Sequence, residues 1–142
     1  MRVRRTTPGR RAAAAVELAV ILPVLTLLAL ACLDFGRFAY HHIAVTNAAR
    51  AGGEHAITNP YGPDGEAAWR SRVELTSRAE LSNQTGGDPA HLTATVAVTA
   101  ERPGSRWVRV ETTYTGFRTL VSWPGIPDAP VMRAAAVLPA IR

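Results

Sequence analysis

One acidic side chain is set apart by its surroundings. Glu17 lies in the first apolar turns of RRAAAAVELAVILPVLTLLALACLDFGR, residues 10–37, where its neighbours from Ala12 to Leu22 are all aliphatic. A carboxylate at the centre of a membrane helix costs roughly 2.5–3.5 kcal/mol, and less toward the interface, so something must offset it. Arg11, six residues away, offers a pair in the head-group layer; a positive charge on a second molecule offers another. The other reactive residue types form no working constellation. His41 and His42 are adjacent, hence about 100° apart on a helix, and cannot hold one metal from one face; His55 and His91 complete no ligand spacing. Cys32 is the single cysteine, so no internal disulfide forms. Asn83-Gln84-Thr85 matches a glycosylation sequon, a triplet common by chance. Without a phosphate loop, nucleophile elbow or paired acidic motif, we expect no catalytic residue, no metal and no cofactor. Trp69, Trp107 and Trp123 are expected as core or rim residues of a folded head rather than a ligand-stacking row.

The segment that carries Glu17 sets the topology. Residues 12–33 are interrupted only by Glu17, Pro23 and Thr26. At 1.5 Å per residue they cover about 33 Å, enough for a hydrocarbon core of about 30 Å. All basic residues are arginine, and Arg2, Arg4, Arg5, Arg10 and Arg11 account for the whole formal charge of +5. From Ala12 onward the charges balance, so the excess marks the cytoplasmic side of a membrane segment and not a nucleic-acid surface. The residues beyond the segment are expected outside the cytoplasm. Ala29-Leu30-Ala31 fits the pattern for signal-peptide removal, and Cys32 invites a lipoprotein reading; we set both aside because an acid is foreign to a signal h-region and the helical pattern runs through the supposed cut.

That pattern continues past Asp34 without a proline, with Phe35, Phe38, Val45 and Ala49 toward one face and Ala44, Ala48 and Ala51 nearby. It predicts one helix from about residue 13 to 51, ended by Gly52 and Gly53. ITNPYGPDG then reads as a linker. A second helix is expected over residues 66–81, capped by Asp64, with Trp69, Val73 and Thr76 inward and Ala68, Leu75 and Ala79 flanking. From His91 the period changes to two. Leu92, Ala94, Val96, Val98 and Ala100 share one face of a strand; Pro103 and Gly104 suit a turn; Val108, Val110, Thr112 and Tyr114 share a face of the next strand. A further strand is expected over residues 131–138. The fold class is α+β: a long N-terminal transmembrane helix extending into a small extracytoplasmic head of one helix and a short antiparallel sheet. The divisions are a basic leader 1–12, the membrane and extended helix 13–52, a linker 53–65 and the head 66–142.

RRAAAAVEL resembles the processing site of class III, type IV-like prepilins, in which a membrane peptidase cuts before the helix and the acid becomes the fifth residue of the mature chain. Counted back from Glu17, the cut falls between Ala12 and Ala13, with Ala12 and Leu18 standing where that family usually has glycine and often an aromatic residue. Residues 10–53 resemble the TadE-like (and related TadG-like) proteins of the Tad/Flp pilus machinery. The motifs are Val16-Glu17-Leu18-Ala19, Leu22-Pro23, Asp34-Phe35-Gly36-Arg37 and Asn47-Ala48-Ala49-Arg50-Ala51-Gly52. The resemblance implies a non-enzymatic minor pilin or pseudopilin, held in the cell membrane by a single span with the N-terminus cytoplasmic and the head outside, or incorporated in a pilus that serves functions such as cell adhesion. Implied partners are the membrane, other pilin-like subunits, Tad assembly proteins and a prepilin peptidase, with no nucleic acid. Ala12 and Ala13 are the expected processing residues, Glu17 the subunit-pairing residue, and Phe35, Phe38 and Val45 the helix-packing residues. Pro23 is expected to open the helix locally, and Asp34 and Arg37 to pair on its surface at the outer boundary. The alternative is a single-pass anchor that displays a binding module and has no pilus role.

Overall fold

The computed structural model describes residues 8–59, 65–102 and 105–140. The arginines of the leader up to Arg5, the Asp64 cap and the Pro103-Gly104 turn lie outside them, as do the side chains of Arg10 and Arg11. The elements are α1 (Pro8–Thr58), α2 (Gly65–Thr85), a short 3-10 turn (Pro89–His91), β1 (Leu92–Arg102), β2 (Ser105–Tyr114) and β3 (Met132–Ala140). The sheet runs β1-β2-β3 with both pairings antiparallel. This is the expected α+β architecture, and a helix long and apolar enough to cross a membrane begins at its N-terminal end.

α1 lives in two environments. Its residues 12–29 are exposed all round, including Val16, Val20, Leu25 and Leu28. Farther along, Ala44, Val45, Ala48, Ala49, Gly52, Gly53 and Ala56 are buried. Their paired spacing of four places them on one stripe of the helix, and their small size lets α2 and the sheet come close. The sheet is therefore covered by two helices, α2 and the outer half of α1, not by one. Two apolar clusters result. One joins Val45 and Ala48 to Leu81, Leu92, Tyr114, Phe117 and Met132. The other joins Ala56 to Trp69, Val73, Val96, Val108 and Val110.

The helix does not end at Gly52 and Gly53, as their residue type suggested; it runs to Thr58 and takes in the first residues expected to form the linker. Neither glycine has a positive φ. Both are there for proximity: a Cβ on Gly52 would collide with Ser77 Oγ, and one on Gly53 would lie 2.6 Å from Leu138 Cδ1. The stop signal with the expected geometry is Gly86, whose φ of 61° and N–H to Ser82 O bond of 2.9 Å close α2 four residues later than expected. Within α2 the buried face is Trp69, Val73, Ser77 and Leu81. Thr76 is only half-buried, and Leu75 points to solvent. The inward stripe follows a strict spacing of four, and a polar residue, Ser77, fits where Gly52 leaves room.

Polar contacts bind the layers. Thr112, on the buried face of β2, donates to Val45 O at 3.1 Å, and Arg78 Nε donates to Leu92 O at 3.0 Å. Tyr40 Oη donates to Gln84 O, and Asn47 Nδ2 to Gln84 Oε1 at 3.1 Å. Gln84, the middle residue of the Asn-Gln-Thr triplet, thus clamps the end of α2 to the middle of α1.

Gly52→Val should destabilise the head by about 1–3 kcal/mol through overpacking against Ser77, Val73 and Val110. Gly36→Ala meets no atom within 4 Å and should be neutral or stabilising by up to about 1 kcal/mol. Thermal unfolding of the detergent-solubilised protein, followed by circular dichroism, checks both.

Candidate functional site

The residues singled out by sequence fall into two zones of α1. In the bare zone, Ala12, Ala13 and Glu17 are all exposed, among Val16, Leu18, Val20 and Ile21, each more than half exposed. No described basic side chain pairs with Glu17. The Ala12-Ala13 bond lies inside α1, which starts at Pro8, so a peptidase that needs an extended backbone has to unwind the first turn. In the second zone the three expected packing residues part company. Val45 is fully buried inside the chain's own head. Phe38 is half-buried and meets Phe117 edge to face at 5.7 Å between centroids. Phe35 is 74% exposed. Successive helix positions turn by about 100°, and that rotation carries Phe35 away from the inward stripe.

Asp34 is more than a surface partner for Arg37. It is buried, and its carboxylate collects donors from a loop far along the chain. Leu120 N–H donates to Oδ1 at 2.8 Å and to Oδ2 at 3.1 Å, Val121 N–H to Oδ2 at 3.3 Å, and the Trp123 indole N–H to Oδ2 at 3.0 Å. Arg37 Nη1 reaches Oδ1 at 3.3 Å, and the same guanidinium lies over the Phe117 ring, 5.4 Å from its centroid. His41 adds a stacked contact to Tyr114 and an edge contact to Phe117. The segment between β2 and β3, residues 115–131, is thereby folded down onto α1 beside the last turns of the apolar run.

Burial alone would push the Asp34 carboxyl up. The Leu120 N–H, the Trp123 indole, the Val121 N–H and the Arg37 charge together outweigh it and hold the carboxyl below its ordinary value of 3.8. Sequence reasoning missed this node because the partners stand 86 to 89 residues away. The available signal was chemical: an acid at the lip of an apolar run, with a tryptophan and several apolar residues in a long connection between strands. Between the helix and this loop lies an open groove of about 460 Å³, lined by Ala31, Phe35, Phe38, Trp123, Ile126 and Pro130 among others.

Residues 12–54 match a family model described as TadE-like protein. The matched segment is the greater part of α1, from the first apolar residues past Gly52 and Gly53, and it contains both Glu17 and Asp34. No curated protein and no solved structure matches the chain.

The lowered Asp34 pKa fixes a pH dependence. The loop's attachment is complete above pH 3.8 and is lost as pH falls through the lower folded value, because protonation removes the acceptor that the N–H groups need. Asp34→Asn turns an amide N–H₂ toward those donors. It should speed hydrogen exchange at Leu120 and Val121 by about tenfold or more at neutral pH, leaving β2 amides unchanged. In Asp34→Asn the acid-induced change in Trp123 emission, isolated by difference against Trp123→Phe, should disappear.

Proposed function

We propose that this chain, TadE-like over residues 12–54, acts as a minor-pilin-like subunit in assembly of a Tad/Flp-type pilus, and that its work is association within the membrane, not catalysis. The arginine leader lies in the cytoplasm, residues 12–33 cross the bilayer, and the head stands outside. The observation that carries this reading is the division of α1. Its outer half is consumed by the chain's own head, whereas residues 12–29 are bare and hold a carboxylate with no described basic partner. A lone anchor needs no acid there. A bundle of such helices can use one.

The physical logic runs through charge compensation. Cleavage between Ala12 and Ala13 by a prepilin peptidase exposes an α-amine four residues from Glu17, on the same helix face. In a packed bundle the Glu17 carboxylate of one subunit meets the amine of a neighbour, which leaves neither charge unpaired in low dielectric and sets the axial offset between subunits. The surface for neighbouring subunits and other Tad assembly proteins is the flank around Val16, Val20 and Leu28. Phe35 stands exposed at the membrane exit, while Phe38 and Val45 hold the head against the rod. The buried small-residue stripe supports the same reading, since a head built around α1 transmits movement of the span directly.

Glu17→Gln keeps size and shape and removes the charge. It should leave membrane insertion and the head's unfolding temperature unchanged but reduce assembled pili, counted by electron microscopy, by tenfold or more if the pair is worth about 1.4 kcal/mol or above. Unaltered piliation would favour a single-pass anchor with a binding head. N-terminal sequencing of the membrane-extracted protein should find a chain that begins at Ala13; one that begins at Cys32 or Leu33 contradicts the proposal.

A further inference from the structure

The connection between β2 and β3 carries more exposed apolar surface than a solvated loop needs. Leu120, Ile126 and Val131 are 58%, 55% and 53% exposed, and Phe35 and Leu33 of α1 add 74% and 57%. Phe35 and Ile126 line one groove, and exposed apolar surface gathered in this way marks a surface that something covers. The patch has a defined height. Ala31, which lines the groove together with Trp123 and Ile126, stands about 29 Å along the helix from Ala12, so a span that begins at Ala12 brings the groove to the edge of a hydrocarbon core of about 30 Å. One turn of the helix before Ala31, Leu27 and Leu28 are exposed.

The loop is also prepared for a medium poor in water. Its amides would be costly to desolvate unpaired, and several of them have partners: Leu120 and Val121 donate to Asp34, Thr119 N–H donates to Asp128 O at 2.9 Å, and Ile126 N–H to Trp123 O at 3.1 Å. Trp123 keeps its indole N–H on Asp34 while its ring lines the groove, the amphipathic placement that favours tryptophan at a bilayer interface. The charged groups near the patch are Arg37, Arg118, Asp34 and Asp128. Asp34 is turned inward, whereas Arg118 and Arg37 are exposed at the level where phosphates lie.

We infer that residues 117–131 form an interfacial membrane anchor, inserted in the leaflet on the head's side, with a phospholipid acyl chain occupying the groove between Phe35, Trp123 and Ile126. This rests on the reading that residues 12–33 span the bilayer. The occupant is lipid because the groove, lined by Ala31 at the end of the apolar run, lies at the depth where acyl chains begin. The loop thus fixes the height and tilt of the rod relative to the membrane plane, a role separate from the charge pairing of Glu17.

The test uses the full chain with Cys32→Ser, in nanodiscs that hold one copy each. A fluorescent thiol label is placed in turn at Ile126→Cys, Val98→Cys and Leu22→Cys. Val98 is partly exposed at the end of the head that packs on Ala56, away from the groove. With lipids that carry a nitroxide high on the acyl chain, the label at Ile126 should lose most of its emission and that at Val98 almost none. Nitroxide deeper in the bilayer should quench Leu22. Should Leu22 be quenched and Ile126 behave like Val98, the span stands and the anchor is refuted; should Leu22 escape quenching, the span fails and the anchor with it. Protection of Ile126 only when several copies share a disc would assign the groove to a second subunit and overturn the inference. Asp34→Asn, which frees the loop, should weaken quenching at Ile126 while leaving Leu22 unchanged.

Discussion

Close approach along one stripe of α1 is the constraint on which the rest of the structure depends. A helix that is apolar enough to cross a bilayer at one end and is built into a domain core at the other cannot use large side chains throughout. Ala44, Ala48, Ala49, Gly52, Gly53 and Ala56 resolve this: they give the outer half a flat, narrow surface on which α2 and the sheet settle, with Ser77 seated beside Gly52 and Leu138 beside Gly53. Larger residues at these positions would push the sheet away and separate the two apolar clusters. The stripe ends at Ala44; below it Phe38, His41 and Asp34 still touch the head, and the bare segment follows.

Asp34 then works as the joint between the two halves. A buried carboxylate is costly unless its oxygens are filled, and here three N–H groups of a distant loop and one guanidinium fill them. The consequence is mechanical: the loop between β2 and β3 is pinned to the rod at the height where the apolar run ends. Glu17, by contrast, stands in the bare segment with no described basic partner. One acid is satisfied within the chain and pins the loop between β2 and β3; the other is exposed among aliphatic side chains.

How far this was legible in sequence depended on the range of the interactions. The period of two placed Val108, Val110, Thr112 and Tyr114 on the buried face of β2, and the hairpin followed, because strand alternation is local. The length of α1 was legible up to Gly52; beyond it, two glycines look the same in sequence whether they end a helix or admit a neighbour, and only the position of α2 decides. Ser77 was invisible for the same reason, since a serine reads as a surface residue until its partner across the interface is a glycine. The Asp34 node needed contacts more than eighty residues apart, which no periodicity encodes. Motif reading located Asp34 and Arg37 as a pair and stopped there. Phe35, Phe38 and Val45 were expected on one face of α1, yet their angular positions differ, with Val45 facing the head and Phe35 facing outward.

The claim at the centre of this account is that the bare half of α1, residues 12–29, is a protein-binding surface inside the membrane. Photo-crosslinking in native membranes from a diazirine side chain at Ile21, with Thr46 on the outer half of α1 as the comparison, tests it most directly. The account predicts an adduct between Ile21 and another membrane-embedded pilin-like subunit, and none of that kind from Thr46. Adducts of Ile21 with lipid alone, in cells that are actively assembling pili, would contradict it.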